Sequence, residues 1–210
     1  MGYTTAIGTT REDIMYLAEK YAPVYGIFRA LVNEEAEKLF STDSNISSFT
    51  LSQMHAKSLL SRLEKFEHEV PRTLVAIVHD NFEMMRRVAL ATLYPGNPSH
   101  MEQSSVYKVD PSLRGIRRLV ESYAELCFVY DKILCVRDED RNGPVERNLA
   151  IELRSALRDF VTNVPRNLRR IIRGKHKEMI IKASQVLSRT ADVPNWLLSS
   201  GLTDRSLRYE

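Results

Sequence analysis

The sequence predicts an all-α protein, a helical bundle built from two divergent three-helix repeats related by pseudo-twofold symmetry. Apolar residues step by three and four through both halves, which is the period of one helical face. The 8 glycines and 8 prolines fall mostly between those periodic stretches. The chain also matches itself: residues 59–74 overlie residues 153–168 at a shift of 94.

Extended without gaps from Thr50 to Leu93, that match keeps 13 identities in 44 positions. The pairs Ala56/Ala150, Leu59/Leu153, Leu63/Leu157, Phe66/Phe160, Val70/Val164, Leu74/Leu168 and Ile77/Ile171 share one helical face. These residues are the expected core. Upstream, Ile14, Leu17, Glu19, Tyr21 and Ala22 match Ile116, Leu119, Glu121, Tyr123 and Ala124 at a shift of 102. The first copy therefore carries extra residues, placed in a loop around Ser41 to Phe49.

In the first repeat, 1–93, Thr10 with Asp13 three residues on opens a helix that Pro23 kinks or interrupts and that resumes to about Phe40. Thr50 with Gln53 forms a second capping box, opening a helix to about Glu69. Pro71 bends the chain or begins a third helix, to about Leu93. Residues 94–110, starting Tyr94-Pro95-Gly96-Asn97-Pro98, are a linker by composition.

In the second repeat, 111–190, Asp110-Pro111 caps a helix to about Arg137. Asp138 to Gly143 is a polar turn, followed by helices from Pro144 to Asn163 and from Pro165 to Arg189. The tail, 191–210, holds Trp196, Leu197 and Leu198 and is expected to dock.

At 43% apolar and 27% charged, 210 residues suffice for a core without disulfides or metals. The longest apolar runs, such as Leu74 to Val78, are too short to span a bilayer. The start, Met1 to Ile7, has neither a basic cluster nor a long apolar centre, so no secretory signal is read and a cytoplasmic setting is expected. Cys127 and Cys135 stand about 12 Å apart along a helix, too far for a disulfide, and read as packed thiols.

Comparing the halves isolates what only one of them has. Up to Pro98 there are 10 Lys and Arg against 12 Asp and Glu, and from Ser99 there are 20 against 15, so the halves carry −2 and +5. Much of the excess lies on one face of the last helix, where Arg166, Arg169, Arg170, Arg173 and Lys177 recur at three and four. The first copy has Arg72, Val75, Ala76, His79 and Glu83 there. Guanidinium groups hold phosphate oxygens through paired hydrogen bonds, so this stripe is the candidate nucleic-acid-binding site, against the blander reading of a solvated face with internal acidic partners. The apolar counterpart, Val75-Ala76 with His79, should be covered by the other half or another subunit.

Arg72 and Arg166 each follow a proline near a helix start, where the dipole disfavours a cation. Ion pairs of Glu19 with Arg72 and of Glu121 with Arg166 are therefore expected.

The five histidines show no four-residue pair of the kind a metal takes, and there is no glycine-rich phosphate loop or nucleophile elbow, so neither a metal nor a cofactor is expected. Arg170 followed by His176, and Arg72 followed by His79, resemble the arginine and histidine pair of the helical HEPN ribonucleases. That resemblance covers two residues per copy. It implies RNA cleavage with Arg170 and His176 acting on a phosphate. The preferred reading is a non-enzymatic helical scaffold or assembly protein that self-associates and contacts nucleic acid or an acidic protein surface. A HEPN-like ribonuclease and an intracellular protein–protein adaptor are the alternatives.

Overall fold

The structure is a computed structural model that describes residues 9–40, 46–96 and 113–189, with residues 35–40 and 46–50 described by their backbone course alone. Every regular element among them is helical: α1 (Arg11–Phe40), α2 (Ile46–Glu69), α3 (Arg72–Leu93), α4 (Arg114–Leu134), α5 (Pro144–Asn163), α6 (Arg166–Arg169) and α7 (Arg173–Arg189). Short 3₁₀ turns occupy Asp138–Asp140 and Arg170–Ile172. The anticipated docking of the tail, most of the linker and the Asp110-Pro111 cap lie outside the described residues.

The helices start and stop for identifiable reasons. Thr10 and Asp13 close a reciprocal cap: the Thr10 amide donates to Asp13 Oδ2 at 2.9 Å and the Asp13 amide to Thr10 Oγ1 at 3.1 Å. These bonds hold the Asp13 carboxyl below its ordinary pKa, the Thr10 amide contributing most. Pro23 neither breaks nor ends α1, which runs through it. The only backbone bond a mid-helix proline must forfeit is to the carbonyl four residues back, here that of exposed Glu19, where water can replace it.

Thr50 is not a cap. The helix α2 already begins at Ile46, because nothing in Ile46-Ser47-Ser48-Phe49 stops a helix, and half of the supposed insertion loop is thereby helical.

Pro71 and Pro165 both break the chain direction, and they do so alike. Pro71 has φ −53° and ψ 136°, and Pro165 has φ −55° and ψ 139°. A proline keeps the preceding residue out of the helical region, so α2 and α5 end just before Val70 and Val164. The amide of Val70 reaches the Phe66 carbonyl at 2.9 Å, and that of Val164 the Phe160 carbonyl at 3.0 Å. Each proline carbonyl then accepts from the first turn of the next helix, Leu74 at 2.8 Å and Leu168 at 3.0 Å.

Between α4 and α5, buried Glu146 organises the turn. It is 3% exposed, accepts the Asn142 amide at 2.8 Å and lies 3.5 Å from Lys182 Nζ. Asn142 has φ 61°, a left-handed conformation that asparagine tolerates.

Helices α1 and α4 lie side by side; α2 and α5 pack on them, and α3 and α7 pack on α2 and α5. One apolar cluster runs through the whole assembly, including Leu17, Leu59 and Phe82 from the first half and Leu119, Leu153 and Met179 from the second. Burial is the main stabilising term here, roughly 1.5–3 kcal/mol per large apolar side chain. Of the matched core pairs, only Ile77/Ile171 differs, with Ile77 buried and Ile171 half-buried.

A polar network joins α3 to α4 and α1. Arg117 donates to Glu121 at 2.8 Å, to Asp80 at 3.1 Å and to Asn81 at 2.8 Å, while the Asn81 amide donates to Glu121 at 2.7 Å and to Tyr21 at 3.0 Å. Burial pushes the Tyr21 phenol well above its ordinary pKa. Glu121 is thus engaged by its neighbour one turn back, where Arg166 was expected. The expected Glu19–Arg72 pair does not form either: Arg72 is exposed and makes no ion pair among the described residues. Lys20 instead takes Glu69 at 2.7 Å, tying α1 to the end of α2. Val75, Ala76 and His79 are half-buried within the chain itself, Val75 against the core.

Candidate functional site

The basic segment owes its position to the Pro165 turn. Leu168, Ile172, His176, Met179, Ala183 and Val186 are buried, stepping by four and three, and they turn the opposite side of α6 and α7 outward. Arg166, Arg170, Arg173 and Lys177 are exposed on that outer side. The continuous helix read from the sequence is interrupted, however, by the 3₁₀ turn Arg170–Ile172. Arg169, three residues before buried Ile172 and seven before buried His176, lies half-buried at the edge of the stripe, its Nε without a hydrogen-bond partner, and sets its charge beside His176.

From Val164 to Lys177 the chain contains six Lys and Arg and no Asp or Glu. The nearest acid along the chain, Glu178, is already engaged, by Tyr130 at 2.8 Å and by Lys175 at 3.3 Å. Arg170 and Lys177 make no ion pair among the described residues. Matching positions in the first half differ in kind: Glu83 pairs with Arg86 at 2.9 Å, and Asp80 with Arg117.

One residue of this surface is not apparent from the sequence stripe. Arg11, at the start of α1, donates from Nη2 to the Arg170 carbonyl at 3.2 Å. The dipole disfavours an arginine in the first turn of a helix, but that alone points to no partner, as the exposed Arg72 at the start of α3 shows.

The chain matches no family model, no curated protein and no solved structure. Its chemistry must be read from its own residues. His176 is 1% exposed and lies tilted against Phe160, and burial, assisted by the Arg169 charge, pushes its pKa down to about 4. Of the pair that resembles the HEPN ribonucleases, Arg170 faces outward while His176 is a core ring, so the two do not meet at one surface. Cys127 is half-buried with its thiol pushed up to about 11, chiefly by burial, and Cys135 is exposed. Cys135 is thus no packed thiol: it lies just past the end of α4 at Leu134, one turn beyond exposed Asp131. Among the described residues no group of three or more His, Cys, Asp or Glu could hold a metal, and no helix is long and apolar enough to cross a membrane.

Proposed function

We propose that this chain is a non-enzymatic, intracellular helical assembly protein, duplicated from one three-helix unit, whose α6–α7 face contacts nucleic-acid phosphates. The matching turns at Pro71 and Pro165 and the pairwise burial of Leu59/Leu153, Phe66/Phe160 and Met85/Met179 support the duplication and a pseudo-twofold relation between halves. The observation that carries the binding reading is the exposure of Arg170 and Lys177 on an acid-free stretch, with no ion pair to either among the described residues. A solvated face neutralised from within would have supplied those acids.

The exposed outer residues of this face, Arg166, Arg170, Arg173 and Lys177, include no aromatic for base stacking, so backbone phosphates rather than bases are the target. The buried His176 favours binding without cleavage.

Fluorescence anisotropy with labelled single-stranded and duplex oligonucleotides tests the reading. Affinity should fall steeply with salt, and replacing Arg170, Arg173 and Lys177 together by alanine should weaken it at least about tenfold. Affinity untouched by the triple change rejects the site, and preference for an acidic polypeptide over oligonucleotides would transfer it to a protein partner.

A further inference from the structure

We infer that Arg11, contributed by the opposite half of the chain, is itself a phosphate contact of the α6–α7 surface, an inference that rests on the binding reading above. Its guanidinium comes within 3.2 Å of the Arg170 backbone although 159 residues separate the two. Arg11 is exposed and makes no ion pair among the described residues. Of its own neighbours, the Asp13 carboxylate is committed to Thr10 at 2.8 Å and 2.9 Å.

Five donors sit on a guanidinium, and the bond to the Arg170 carbonyl uses one. That bond holds the group at the Arg170 backbone. The remaining donors and the full positive charge are left to an anion. The surface is consequently composite: α1 closes one side and the Arg170–Ile172 turn the other. A phosphate backbone running across it would join the two halves of the molecule.

Arg11→Gln and Arg11→Lys separate charge from position. Glutamine keeps a donor for the carbonyl but no charge, whereas lysine keeps the charge. Salt titrations with a labelled single-stranded oligonucleotide should give a log K against log salt slope shallower by about 0.7 for Arg11→Gln and unchanged for Arg11→Lys. A parental slope in Arg11→Gln overturns the inference, as does an equal loss in both variants, which would mean that Arg11 merely positions the turn. The Arg170, Arg173 and Lys177 triple variant, run alongside, keeps the two readings apart: no effect there rejects the whole surface, whereas an effect there with a parental Arg11→Gln rejects Arg11 alone.

Discussion

His176 lies against Phe160 with ring centroids 5.1 Å apart, as Phe82 lies against Phe66 at 4.5 Å. The matched position in the two halves thus holds a buried ring each time, and in one half that ring can ionise. Its folded pKa, about 4, is below the ordinary 6.5, so the folded state refuses a proton that the unfolded chain accepts. The stabilisation is complete above about pH 6.5 and is lost as the pH falls toward about 4, by up to about 3 kcal/mol. His176→Phe should remove this dependence. The difference between the urea midpoints of parent and variant should be constant above about pH 7 and shift in the variant's favour as the pH falls to about 5; parallel curves throughout would show that His176 is not held neutral.

Where apolar residues step unbroken by three and four, the core could be read directly: Leu59, Leu63, Leu153 and Leu157 are all buried. The proline turns were marked by sequence but not their geometry, because a break and a kink share one apolar pattern. Arg169 belongs to the edge of the stripe, because it stands three residues before buried Ile172 and seven before buried His176 and so borders the core face. Arg11 was missed because its partner is a backbone carbonyl, which has no residue type to recognise. The Glu19–Arg72 pair is absent because exposed charges gain little from pairing, so helix position alone does not dictate their partners.

Gly174 lies in the first turn of α7, and a Cβ there would meet nothing within 4 Å. Alanine loses less backbone freedom on folding than glycine. Gly174→Ala should therefore stabilise the protein by about 0.5–1 kcal/mol in urea denaturation and leave oligonucleotide affinity unchanged. A loss of stability would mean that the turn before α7 needs the freedom of glycine.

The two cysteines should differ sharply toward alkylation. Cys135 is exposed beyond the end of α4, whereas Cys127 is half-buried with its thiol pushed up to about 11. The thiolate is the attacking species, so near pH 8 iodoacetamide should label Cys135 at least about tenfold faster. Mass spectrometry of partial digests over time measures this directly, and equal rates would contradict the burial of Cys127.

Arg117 is one point where the two halves meet through polar contacts, with Asp80 and Asn81 of the first half and Glu121 of its own helix within 3.1 Å. Two of these partners are carboxylates, so removing the cation leaves like charges facing each other in a half-buried place. Arg117→Met should cost about 2 kcal/mol or more, although methionine fills much of the same volume. Arg117→Lys, which keeps the charge but not the fork of donors, should cost about 1 kcal/mol. Met15 stands at the matching position of the first half, so an apolar residue at this helical position is sterically acceptable and the loss would be electrostatic. A double-mutant cycle with Asn81→Ala should return a coupling of at least about 0.5 kcal/mol. Additive losses, or an Arg117→Met variant as stable as the parent, would mean that the Arg117 contacts contribute nothing to holding the halves together.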